Sequence, residues 1–168
     1  HSALGVSIEG KVLFEHYAQC DSRESLHTSL SVAKSFTSAL VGIALGEGKI
    51  SSLSDPIRKY LPELTNKSFD DVTIRHILQM SSGLRFNENY TDPKSDINKM
   101  VGMVPPMTYL EYINTLEREH EPGTYNHYAS INTQLLGILL SRVTGESITD
   151  YMTRKLWHPV GMERKGLW

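Results

Sequence analysis

Ser31 and Lys34 stand three positions apart in Ser31-Val32-Ala33-Lys34, at the front of a long apolar run. On a helix, residues so spaced share a face, so the hydroxyl and the amine can meet. A serine in the first turn keeps its backbone N–H unpaired and aimed outward. The helix dipole favours negative charge there. Those are the needs of a nucleophile that passes through a tetrahedral oxyanion. Lys34 accepts a proton only when neutral, and burial or nearby positive charge lowers a lysine pKa. The tetrapeptide alone carries little weight. With 18 Ser and 9 Lys in 168 residues, about one S-x-x-K is expected by chance, and one is found. A helix that starts with Ser and shows Lys to solvent is the simpler account of those four residues.

A second stretch shifts the balance. Pro122-Gly123-Thr124-Tyr125-Asn126-His127-Tyr128-Ala129-Ser130 places Tyr128 in a turn before a helix, with Ser130 two residues on. A tyrosine facing Lys34 can relay a proton between nucleophile and leaving group. Tyr112 is a decoy: Tyr109, Leu110, Ile113 and Leu116 make a helical stripe around it, so it reads as packing. Met100, Met103 and Met107 with Tyr90 are candidates to line an acyl pocket, and packing under a loop explains them as well. The seven histidines show no metal-ligand spacing. His76 reads as structural, and His127 is a candidate for the cleft through its neighbour Tyr128. Asp70 and Asp71 read as caps favoured by the dipole of the following helix. Cys20 is the single cysteine and has no reactive setting.

The elements that must position these groups follow from periodicity and punctuation. Val6 and Ile8 alternate with polar residues, as do Val12 and Phe14, which gives an antiparallel hairpin around Glu9-Gly10. From Ser31 the period becomes helical through Val32, Phe36, Leu40 and Ile43, until Gly46 and Gly48. Asp55-Pro56 opens a short helix over 56–61, and Thr73 caps another over 74–80. Residues 85–107 read as a long loop with one short helix near 97–101. A helix over 108–119, a turn, an apolar helix from Ile131 stopped by Gly145, and a last helix capped by Ser147 complete the chain. The class is α+β: a hairpin over 1–20 and a mainly helical part over 21–168, forming one partial domain. A lone hairpin leaves open edges. We therefore expect further strands from beyond Trp168 or from another chain.

Hydrophobic content of 39% and charged content of 21% are those of a globular protein with a real core. A net charge of -2 and the absence of a basic run argue against a nucleic-acid binder. The apolar stretches are too short to span a bilayer. The sequence does not give the compartment, and oligomeric state is equally unread.

The segments SLSVAKSFTSALVGIALGEGKI, SDPIRKYLPEL, DDVTIRHILQMSSGL, PGTYNHYASINTQLLGILLSRVTG and LWHPVGM occur in one order and spacing. In that order the chain, from about Ala3 to its end, resembles the serine β-lactamase-like superfamily. It is most similar to the branch of class C β-lactamases, penicillin-binding proteins and esterases. The resemblance implies an α/β sandwich, an antiparallel sheet flanked by helices. It also implies that Ser31 is the acyl-accepting nucleophile, Lys34 its activating partner and Tyr128 the proton shuttle. Which of Lys34 and Tyr128 is the acylation base stays open. Two departures matter. Tyr128-Ala129-Ser130 stands where class C enzymes carry Y-x-N, and Met80-Ser81-Ser82-Gly83 stands where HTSG is common. Both resemble esterases and nylon-oligomer hydrolases, and Ser130 becomes the candidate substrate-binding residue. The family's third motif, K-T-G or H-x-G, is absent and is expected beyond Trp168, with the second oxyanion N–H.

These expectations amount to a serine hydrolase that forms an acyl-enzyme from a small ester or amide, without metal or cofactor. A β-lactamase or D-Ala-D-Ala carboxypeptidase is the enzymatic alternative. A non-catalytic penicillin-binding-like protein is the alternative from another class. One fold serves many chemistries, so family and substrate are separate questions.

Overall fold

Strand β1 (Ala3–Ile8) pairs antiparallel with β2 (Lys11–Tyr17) across Glu9-Gly10, as the alternation predicts. Both turn residues have positive φ, 48° and 76°, which is what a two-residue turn matching the strand twist requires. The register is less regular than the alternation. Val6 faces Phe14 while Ser7 faces Val12, so Leu13 is an extra residue in a bulge. Val12 therefore shares the face of Ser7, and Phe14 shares that of Val6. Apolar side chains stand on both faces and are exposed, among them Val6, Ile8, Val12 and Phe14. The structure, a computed structural model, describes residues 3–102 and 107–166. The chain divides into two compact units, residues 1–31 and 32–168.

The second unit is helical. Its long members are α1 (Ala33–Gly46) and α5 (Ser130–Thr144). Both are stopped where glycines follow: Gly145 takes φ 74°, the left-handed form that ends a helix without a Cβ penalty. Leu40, Val41 and Ala44 of α1 pack in one core with Leu135, Leu136, Leu139 and Leu140 of α5. Each fully buried leucine contributes about 1.5–3 kcal/mol. The core also takes Ile57, Leu61, Phe69, Val72, Ile74 and Ile77. One face of α1 is thus buried, whereas Ser35, Ser38 and Ala39 of the helix and Val32 just before it are exposed.

Four short helices lie between and after the long ones: α2 (Ile74–Leu78), α3 (Asp96–Val101), α4 (Tyr109–Ile113) and α6 (Ile148–Met152). Thr73 caps α2 and Ser147 caps α6, as expected; Ser95 and Thr108 cap the other two. After α6 the chain widens into a π-type turn over Thr153–Trp157. Tyr151 of α6 donates to Glu47 at 3.1 Å, and burial with that carboxylate pushes its phenol up to about 12.

Two helical expectations change. Residues 56–61 form a 3-10 turn over Ile57–Lys59, not an α-helix. Asp55 does not cap it: its carboxylate accepts from Tyr60 Oη at 2.6 Å, Lys59 Nζ at 2.9 Å and Ser52 N at 3.2 Å. The predicted helix over 108–119 ends at Ile113. Asn114 docks there, its Oδ1 accepting from Thr65 N at 2.9 Å and its Nδ2 donating to Glu63 O. Asn66 Nδ2 in turn donates to the carbonyls of Asn114 and Leu116, the acceptors a longer helix would need. Beyond that point Leu84 and Arg118 form an antiparallel bridge, with Arg85 N donating to Glu117 O at 2.8 Å.

Candidate active site

Ser31 lies in the 3-10 turn Leu30–Val32, directly before α1, and is exposed. Leu30 has φ 46°, an uncommon conformation for a residue with a Cβ. Such outliers concentrate at functional sites. Lys34 is the second residue of α1 and is half-buried. Its Nζ sits 5.5 Å from the centroid of the Tyr128 ring. That is within cation–π range, so two of the residues singled out from the sequence are brought together. Tyr128 is 43% exposed, two positions before the first residue of α5.

Tyr128 lies outside regular secondary structure, and residues 79–88 hold its neighbours on both sides. Asn126 Nδ2 donates to Gln79 O at 2.7 Å and His127 N to Met80 O at 2.7 Å. His127 Nε2 is 2.9 Å from Phe86 O. Downstream, Ser130 N donates to Glu88 Oε2 at 2.8 Å and Ser130 Oγ to Glu88 Oε1 at 2.5 Å. Met80 adopts φ 53° and Gly83 φ 78°, so the Met80-Ser81-Ser82-Gly83 segment is a bent clamp with Ser81 and Ser82 buried.

Glu88 is the residue that sequence reasoning missed. Ala129 stands at the N-cap of α5 and offers no capping oxygen, and the first N–H of the helix bonds instead to Glu88. The sequence gives no signal for it, because Ser130 stands directly before the apolar run, where a serine reads as the helix's own cap. Tyr90 Oη donates to the same carboxylate at 2.8 Å. The Glu88 carboxylate, with some burial, holds the Tyr90 phenol above its usual range, and Tyr128 is near enough to add to the effect. Ser130 is buried, with its hydroxyl proton directed at Glu88. Two residues on, Asn132 is buried with Nδ2 3.6 Å from Met80 Sδ, and its Oδ1 has no hydrogen-bond partner.

The remaining candidates separate. Tyr112 is buried and donates to Asp96 Oδ1 at 3.0 Å; burial, then that carboxylate, raises its phenol, in keeping with a packing role. His76 Nδ1 accepts from Thr73 N at 3.3 Å while its own N–H returns to Thr73 Oγ1, a capping box with histidine as the third residue. Its reading as structural fits that geometry. Asp70 pairs with Arg58, and Thr73 rather than either aspartate caps α2. Met100 belongs to the core, Met107 and Tyr90 are exposed, and Met103 lies outside the described residues. His127 lines a cleft of about 420 Å³ with Arg85, Lys94, Asp96 and Lys99. Cys20 is exposed. Among the described residues no cluster of three His, Cys, Asp or Glu is arranged to hold a metal ion. Nor is any helix among them long and apolar enough to cross a membrane.

The chain as a whole is similar to known proteins. A curated relative, the 6-aminohexanoate-dimer hydrolase of Paenarthrobacter ureafaciens, is 29% identical over 92% of this chain and 41% of its own length. The β-lactamase of Escherichia coli is 27% identical over 94% of this chain, again 41% of that protein. A solved structure from Bacillus anthracis, provisionally named a 6-aminohexanoate-dimer hydrolase, superposes with a TM-score of 0.82 at 22% identity. It covers 97% of this chain and 45% of that one, and supports the α+β fold. The chain thus spans less than half the length of these relatives. The family model described as Beta-lactamase matches residues 2–168, and the chain belongs to that family.

Proposed function

We propose that the protein is a serine hydrolase that cleaves a small ester or linear amide through an acyl-enzyme. The observation that carries this reading is the seat of Lys34 Nζ 5.5 Å over the Tyr128 ring, with Lys34 three residues after Ser31. Ser31 Oγ attacks the carbonyl carbon, and its proton passes into the Lys34–Tyr128 pair. That pair returns a proton to the departing alcohol or amine. Water then attacks the acyl-Ser31 ester and loses a proton to the same pair, which passes it to the departing Ser31 Oγ, leaving the acid and a free serine. The Ser31 N–H, at the head of the helical turn, contributes to oxyanion stabilisation. The preference for a linear amide or ester rests on two supports. One is the relative named as a 6-aminohexanoate-dimer hydrolase; the other is the Tyr128-Ala129-Ser130 motif, which resembles that of esterases where class C enzymes carry Y-x-N. This is a resemblance of motif rather than a substrate contact, since the Ser130 hydroxyl is bound to Glu88. Relatives named β-lactamase and D-aminopeptidase keep the β-lactam and peptide alternatives in the same test.

The test is intact mass of the full-length protein after a fluorophosphonate probe, with Ser31→Ala alongside. A single adduct lost in the variant supports the mechanism. A folded wild-type protein that takes no adduct overturns it in favour of a non-catalytic binding protein. A panel of p-nitrophenyl esters, linear amides and a chromogenic cephalosporin then sorts the substrates. Cephalosporin turnover faster than ester and amide turnover would reverse the stated preference.

A further inference from the structure

Helix α5 begins without a cap of its own, and a glutamate 42 residues earlier supplies one. The Glu88 carboxylate takes three donors: the Ser130 N–H at 2.8 Å, the Ser130 hydroxyl at 2.5 Å and the Tyr90 hydroxyl at 2.8 Å. A carboxylate near a helix N-terminus is favoured by both the unpaired N–H groups and the dipole. Its place along the chain gives the cap a second consequence. Tyr128 lies between His127, held by the Met80 and Phe86 carbonyls, and Ser130, held by Glu88. The upstream anchors fix one end of this short span. Ala129 and Ile131 are buried in the core, so loss of the Glu88 anchor loosens the backbone from Tyr128 to Ser130 about His127 without freeing it. The phenol ring lies at the far end of that lever, so a small rotation moves the hydroxyl by an ångström or more.

We propose that Glu88 is the positioning residue for Tyr128: by capping α5 from the neighbouring loop, it fixes the tyrosine over Lys34. The inference rests on the hydrolase reading above. Glu88 does not touch the reacting atoms in this account; it acts through Ser130 and the backbone. The same carboxylate holds Tyr90, whose ring is 61% exposed, so the loop carrying both residues is tied to the start of α5. Ser130 then works as a tether for Glu88, which explains why a residue of the second motif is buried. A displacement of about 1 Å at a catalytic group is enough for a roughly hundredfold loss.

The test compares Glu88→Ala and Glu88→Gln with wild type in the full-length protein, following ester kcat and KM, the fluorophosphonate labelling rate of Ser31, and melting temperature. Gln keeps an oxygen for the Ser130 N–H, and its amide donates to the Ser130 or Tyr90 oxygen, so it preserves the cap. The expected result is a loss of about 10- to 100-fold in kcat and labelling rate for Glu88→Ala, with KM within about threefold. Glu88→Gln should recover most of that loss. A folded Glu88→Ala protein with unchanged kcat and labelling rate overturns the proposal. So does a Glu88→Gln protein as impaired as Glu88→Ala, because the cap is then not what matters. Wild-type protein that never labels at Ser31 is the failure of the hydrolase reading itself and is read before either variant.

Discussion

Gly83→Ala tests whether the clamp around Tyr128 is as tight as its geometry states. Gly83 has φ 78°, and an added Cβ would run into the carbonyl oxygen of His120 and stand 3.0 Å from its carbonyl carbon. The left-handed conformation alone costs alanine about 1–2 kcal/mol. The clash is with backbone, so it is relieved only by separating residues 83–85 from 117–120. That separation strains three hydrogen bonds: Glu119 N and His120 N to Gly83 O, at 2.8 and 3.1 Å, and Arg85 N to Glu117 O at 2.8 Å. At about 1 kcal/mol each, they bring the total to the order of 4–5 kcal/mol. For a chain of this size that is a fall of roughly 10–15 °C in melting temperature. Gly145→Ala is the internal control, because φ is 74° there and a Cβ meets nothing within 4 Å. Only the conformational cost applies, about 1–2 kcal/mol and roughly 4 °C. Melting both variants by circular dichroism separates clash from conformation. Equal falls would refute the reasoning, since the 83–120 contact would then cost nothing.

Lys34→Met and Tyr128→Phe should each lower ester kcat/KM by about 10²- to 10⁴-fold. Tyr128→Phe should melt within about 2 °C of wild type, because its ring packing is retained; a fast Tyr128→Phe enzyme removes the shuttle role. Leu139→Ala, at a fully buried position of α5, should cost about 2–5 kcal/mol in urea unfolding, with a value under 1 kcal/mol contradicting the packing described. Hydrogen bonds from Tyr60, then Lys59, hold Asp55 below the usual carboxylate range. A depressed carboxylate stabilises the fold above its unfolded value and loses that contribution as pH falls through its folded value. Asp55→Asn should therefore be less stable than wild type at pH 7, and the gap should close below about pH 4. A gap that persists at low pH would assign it to packing instead.

What the sequence shows and what it hides divide by the reach of the interactions involved. Elements closed by neighbouring residues were readable: the Glu9-Gly10 turn, the Thr73 and Ser147 caps, and the stop at Gly145 all lie within a turn of what they end. Ser31, Lys34 and Tyr128 stood out because motif and spacing carry them. The helix over 108–119 misled because its apolar stripe is genuine, yet Asn114 is used by residues 63–66, about fifty positions away. Apolar periodicity has no view of that competition for carbonyls. Glu88 escaped for the same reason: nothing in Phe86-Asn87-Glu88-Asn89-Tyr90 announces a helix that starts at Ser130. The Leu13 bulge is a third case, since an extra residue in a strand leaves the local alternation almost unaltered.

The tethers on residues 126–130 also set an order of assembly. Their partners lie 47, 41 and 42 positions back along the chain, so each closes a long loop, whereas α1 and α5 close on themselves. Loop closure at that separation is entropically costly and comes after local helix formation. Tyr128 is therefore expected to be seated late in folding, after α5 forms and the 79–88 segment docks on it. On warming the sequence runs in reverse: a short span held mainly by hydrogen bonds opens at lower free energy than the leucine-packed core. Loss of turnover should run ahead of loss of helical signal, and the temperature gap between them measures how firmly the chain keeps its tyrosine in place.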